Sequence, residues 1–305
     1  MTTAIIITIF ASFLWGVTNH IDKFLIDGLD ESASSVKTLL VFSTLVAGLV
    51  FAPIWLIICK FSISISALSL ICVFLSSIIY ILATYFYFIA LNKNDASIVV
   101  VMFQLIPVFS YILALIFFKE NLTMQQIIGS IIIILSAVII SFNFNENNSG
   151  SKAKAIILMV LSSLFYAIYF ILFDTAIRNS SYNSCAFWFQ VGFILLGIIF
   201  ICIKSFRTTF MKAIKTNGKK YFSLNITNEV LNLIANLLVN FANLTIPIAL
   251  ANILNGFQGA FVFLLGAIGV KFLPKYFKED LNKKIVVQKV GCIILSIIGL
   301  IVMFI

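Results

Sequence analysis

Ten apolar stretches, each long enough to cross a bilayer, make up most of this chain, and short polar loops separate them. They lie near 4–21, 36–59, 67–91, 96–118, 124–142, 153–174, 184–203, 222–244, 247–270 and 285–304. In hydrocarbon, backbone N–H and C=O groups must be satisfied within the segment. Stretches of ~20 residues therefore read as helices. The chain is 62% hydrophobic and 10% charged, with a mean hydropathy of +1.16. A soluble domain of 305 residues has too little interior to hide that much apolar surface. The expected fold class is an all-α membrane protein.

The stretches fall into two sets of five that echo each other. FQLIPVFSYILALI (103–116) returns as FQGAFVFLLGAIGV (257–270), and ASFLWG (11–16) returns as SSLFYA (162–167). An odd number of crossings per set forces the second set to insert upside down. We therefore expect ten transmembrane helices arranged as two inverted five-helix repeats, 1–142 and 155–305, joined by a polar linker at 143–154. Pro107 should kink the fourth helix and free a carbonyl. Pro247 suits a turn or a first helical position.

Several function classes recede. There is one histidine and no ligand cluster, so no metal site is expected. No Gly-rich phosphate loop and no GxSxG elbow is present, and paired catalytic groups are scarce, so neither a cofactor nor an enzyme is expected. The five cysteines, Cys59, Cys72, Cys185, Cys202 and Cys292, form no CxxC pair and read as small apolar filler. The first residues lack the basic start of a signal peptide and read as a retained first span. A net charge of +9 invites a nucleic-acid reading, but the lysines sit in loops between spans, where they set orientation. With strict alternation, of the 20 lysines and arginines only Lys60, Lys119 and Arg178 lie on the side away from the linker. The positive-inside rule then puts both termini outside.

Polar faces supply the candidate site. In NITNEVLNLIANLLVNFAN (225–243), Asn225, Asn228, Glu229, Asn232, Asn236, Asn240 and Asn243 fall within an arc of about 120°. The stripe climbs ~27 Å, nearly the hydrocarbon depth, and must face protein or water. Ser76, Ser77, Tyr80 and Thr84 repeat the pattern on the third span, which suggests a second wall of one cavity. Gln104 and Gln258 hold equivalent positions in the two repeats, and Asn252 and Asn255 lie close to Gln258. Substrate-binding candidates are therefore Gln104, Asn232, Asn236, Asn255, Gln258, Tyr80 and Thr84. Trp15, Tyr85, Tyr87, Tyr166 and Tyr169 could form aromatic walls, although packing also explains them. Glu229 is a carboxylate within a span and a functional candidate for that reason. His20, expected at the end of span one, could pair with it for proton or cation coupling. Asp22 and Lys23 read as a solvated helix end.

DASIVVVMFQLIPVFSYILALIFFKENLTMQQIIGSIIIILSAVII (95–140) resembles the signature of EamA-type proteins of the drug/metabolite transporter superfamily. It has a small-residue start, a proline after the third turn, an acidic junction, then a Gly-containing fifth span. The junction here is Lys119-Glu120 rather than Gly-Glu, and the second repeat has Phe261 in place of the proline and an enlarged loop at 271–284. The resemblance implies that the first four helices of each repeat line a pathway while the fifth and tenth pack peripherally. It also implies cytoplasmic termini, against the lysine distribution. The function expected is transport of a small metabolite, an amino acid-like or amphipathic solute, by gradient-driven alternating access across the cell (plasma or inner) membrane. Its partners would be that solute and the lipid bilayer, with a homodimer left open. A non-transporting scaffold or accessory subunit is the alternative.

Overall fold

A computed structural model of the chain describes all residues except 1, 28–31, 95, 119–122, 142–148, 243–253, 275, 276, 278, 280 and 305. The described residues form helices and no strands. These are α1 (Thr2–Asp27), α2 (Ser32–Val41), α3 (Ala47–Ile58), α4 (Ala67–Lys93), α5 (Ala96–Val101), α6 (Leu105–Phe118) and α7 (Met124–Ser141). They are followed by α8 (Ser149–Asn179), α9 (Tyr182–Cys202), α10 (Lys204–Ala242), α11 (Gln258–Phe272) and α12 (Lys283–Phe304). A π-helical turn, Phe42–Val46, joins α2 to α3, and a 3-10 turn, Met102–Gln104, joins α5 to α6, so each pair is one continuous rod. Among the described residues, 8 helical runs are long and apolar enough to cross a membrane. Two more, Met124–Ile139 and Gln258–Phe272, are apolar but shorter.

Most helix ends overshoot the predicted spans, for reasons visible in the side chains. The sequence predicts that span one stops near residue 21, with His20 at its end. Instead α1 runs on to Asp27, because Asn19 and Asp22 find buried partners and Lys23 pairs with Asp27 one turn on, at 3.1 Å. In α8 the Arg178–Asp174 pair, at 2.7 Å, similarly supports the last turn. The lysine-rich stretch 204–217, expected as a loop, is the first arm of α10. Phe206, Phe210, Ala213 and Ile214 recur at helical spacing and pack inward, with Phe210 against Phe42 at 5.2 Å between ring centroids. Lys204, Arg207, Lys212 and Lys215 stay exposed. Such a helix suits the headgroup boundary. Gly218, at φ 62, then turns the chain into the spanning arm.

The packing pairs run between the halves. α1 packs on α10 and α11, and α8 packs on α4 and α6. α3 meets α9, and α7 meets α12. Glycines let these backbones close. A Cβ on Gly197 would stand 2.6 Å from the Leu45 backbone, and one on Gly129 would stand 2.6 Å from the Gly299 carbonyl. Two buried seryl bonds repeat across the halves. Ser12 Oγ donates to the Leu254 carbonyl at 3.2 Å, and Ser163 Oγ donates to the Met102 carbonyl at 3.0 Å. Ile6, Phe10, Ile71, Ile78, Ile116 and Ile131 are among the large apolar side chains left outside, as a lipid solvent requires.

Candidate functional site

The helices enclose a cavity of about 330 Å3. One wall is amide and carboxylate: Asn19 and Asp22 from α1, Asn228, Glu229, Asn232 and Asn236 from α10, and Asn255 and Gln258 at the start of α11. The facing wall is aromatic: Tyr80 and Tyr87 from α4, Phe103 from the 3-10 turn, and Tyr166 and Tyr169 from α8. Local breaks aim side chains into the space. The helix yields at Met102–Gln104, just before Pro107, whose ring removes a donor and crowds the preceding turn. Opposite it, the chain turns at Gly256 and Phe257, and Gln104 Nε2 donates to the Gly256 carbonyl at 3.4 Å. The π-helical turn in the second rod presents Ser43, whose hydroxyl donates to Glu229 Oε1 at 2.8 Å.

A chain of buried hydrogen bonds ties the polar wall together. Gln258 Nε2 donates to Asn19 Oδ1 at 2.7 Å, and Asn19 Nδ2 donates to the Tyr87 hydroxyl at 2.8 Å. That hydroxyl donates to Asp22 Oδ2 at 3.0 Å, and Asn228 Nδ2 donates to Asp22 Oδ1 at 2.7 Å. Four elements, α1, α4, α10 and α11, are thereby fixed relative to one another, since each bond crosses between helices. On the aromatic side, the Thr84 hydroxyl and Tyr166 hydroxyl are 3.0 Å apart. The Tyr80 ring packs on Tyr166, Tyr169 and Phe193 at 5.3, 5.2 and 5.4 Å. A second space of about 150 Å3 opens off the first and shares Tyr80, Tyr169, Phe193, Glu229, Asn232 and Asn236 with it.

Gln104, Asn232, Asn236, Asn255, Gln258, Tyr80, Thr84 and Glu229 all line the main cavity. His20 does not. Its Nε2 lies 2.7 Å from the Val262 carbonyl and its ring 5.1 Å from that of Phe277. It borders a separate small space with Gly266 and Glu279, so the geometry does not bring it to Glu229. Ser76 and Ser77 are also withdrawn, each bonding a carbonyl of its own helix. Trp15, Tyr166, Tyr169 and Tyr87 reach the cavity, while Tyr85 is 39% exposed and lines none of it. Asn225 is buried against its own helix at the Tyr221 carbonyl. Asn243, Asn252, Pro247 and the Lys119-Glu120 junction lie outside the described residues, as do residues 143–148 of the linker.

The residues missed from sequence are Asp22, Asn19, Thr18 and Ser43. Trp15, Thr18, Asn19 and Asp22 stand at helical spacing, so the stripe was present, but ending the helix at His20 hid it. Asp22 is 7% exposed, the opposite of a solvated end. Ser43 carries no comparable signal, because its aim depends on the π-helical turn.

Residues 2–142 match the EamA-like transporter family. The match covers the segment whose sequence resembles EamA-type proteins of the drug/metabolite transporter superfamily. Eight apolar helical runs long enough to cross a membrane accompany that match among the described residues. No curated protein matches the chain. A solved structure described only as a crystal structure of protein is similar at a TM-score of 0.43 and 14% identity, over 86% of this chain and 96% of that one. Among the described residues, the α7–α12 pair contributes no side chain to the cavity.

Proposed function

We propose that the protein carries a small polar or amphipathic metabolite, amino acid-like in size, across a cell membrane by alternating access. Two inverted five-helix repeats would rock about the cavity. The observation that carries this reading is the cavity itself, walled by amides from both halves and by tyrosines from both halves. Matched packing supports it: α1 on α10 and α11 mirrors α8 on α4 and α6. The paired seryl bonds support it as well. Helices broken beside Gln104 and Gln258 are what a midplane substrate site requires, since unwound backbone is tolerated in lipid only around a cavity. A volume of about 330 Å3 is at the small end for ligand sites and suits a metabolite. No nucleotide motif supplies energy, so flux would follow a gradient.

Flux into proteoliposomes tests the proposal. Asn236→Leu and Gln258→Leu should abolish uptake, and Asn236→Leu, whose amide bonds the Asn232 carbonyl of its own helix, should still melt cooperatively near the wild-type temperature. Uptake that survives both changes removes the assigned site. Loss of stability in step with loss of function would favour a scaffold whose polar faces only hold helices together.

A further inference from the structure

We propose that the end of the cavity formed by Asp22, Glu229 and Asn228 is a subsite for a single positive charge, the ammonium group of an amine-bearing substrate. The inference rests on the transporter reading above and names its substrate class. Asp22 accepts from Tyr87 and Asn228, and Glu229 accepts from Ser43, all neutral donors. Among the described residues neither carboxylate has a cationic partner. Lys23, the next residue along, points elsewhere: its Nζ donates to the Leu91 carbonyl at 2.9 Å and pairs with Asp27. His20 is held at Val262. Two carboxylates on one cavity wall, one of them buried, are costly without a countercharge, and a bound cation supplies it.

An independent observation points to a donor at the same place. Asn228 Oδ1 is buried with no hydrogen-bond partner, and the residue is only 4% exposed. Orphaned buried acceptors are rare in native folds. An ammonium group offers three N–H donors and no acceptor. Asp22, Glu229 and the Asn228 carbonyl offer oxygens to match. Beyond them the cavity continues between Phe103, Tyr80 and Tyr166, so an apolar or aromatic body can follow the charged head, with the rings adding cation–π attraction. Sodium presents the same charge to the same oxygens, and the experiment separates the two.

The test is thermal unfolding of the purified full-length protein in detergent. Methylammonium, phenethylamine and 2-phenylethanol are titrated in turn, and sodium chloride is compared with N-methylglucamine chloride at equal ionic strength. Phenethylamine should raise the melting temperature saturably, with methylammonium acting at higher concentration. The alcohol of the same shape should not. Asp22→Asn and Glu229→Gln should each weaken the amine response by about tenfold or more. Equal shifts from amine and alcohol, or none from either, overturn the proposal. A shift from sodium alone that both variants abolish also overturns the amine assignment and identifies an inorganic cation. If a variant does not fold, the wild-type comparison of amine with alcohol still decides. Flux in proteoliposomes keeps the two readings apart: amine binding without transport defeats the transporter, while transport without an amine response defeats only the subsite.

Discussion

Tyr87 shows how closely single residues are coupled here. Its hydroxyl takes a bond from Asn19 and gives one to Asp22, both buried. Tyr87→Phe should therefore cost about 1–3 kcal/mol, the range for buried polar groups left unpaired, and appear as a lower melting temperature in detergent. A larger effect is expected away from the cavity. Lys289 Nζ lies 2.7 Å from Glu279 Oε1, with side chains 1% and 2% exposed, and Ser97 also bonds that oxygen. Lys289→Met should destabilise by about 3–5 kcal/mol, because it strands a buried carboxylate. Adding Glu279→Leu should recover much of that loss, measured by the same unfolding curves. Neither residue stood out from sequence. A lysine near a helix start and a glutamate in a basic loop look like solvated charges until the fold buries them together. Glu229 was legible because no other charged residue lies in its span, whereas Asp22 was masked by its lysine neighbour.

Elements were easier to read than their ends. Hydropathy locates the rods, since lipid demands long apolar runs. It cannot see an end set by a tertiary bond, such as α1 continuing past His20, or a basic amphipathic arm such as 204–217, whose short apolar stripe lies among lysines. Close helix contacts are also invisible along one chain, because a glycine is equally compatible with packing and with open space. The structure separates these cases. Gly197→Ala drives a methyl into the Leu45 backbone and should cost about 1–3 kcal/mol. Gly291→Ala on α12 meets nothing within 4 Å and should be neutral or stabilise by up to about 1 kcal/mol, through helix propensity. Thermal unfolding of the two variants side by side checks the contrast.

At the scale of the molecule, helix packing runs between the two halves of the chain. α1 packs on α10 and α11 as α8 packs on α4 and α6, and of the α10 stripe Asn228, Asn232 and Asn236 line the cavity with Glu229 while Asn225 does not. The basic arm of α10 adds Lys204, Arg207, Lys212 and Lys215 to one end, which favours that end in the cytoplasm. A reporter fused after Ile305 should then be active only outside, and activity in the cytoplasm would reverse the orientation. Asn236 tests the central claim, a wet crevice reachable from water. In a Cys202→Ser background, Asn236→Cys, on the cavity wall, is compared with Ile234→Cys, a 40%-exposed position that lines no cavity. In sealed vesicles, Asn236→Cys should react with a membrane-impermeant thiol reagent from either face and Ile234→Cys should not. Equal, negligible labelling of both would contradict the account.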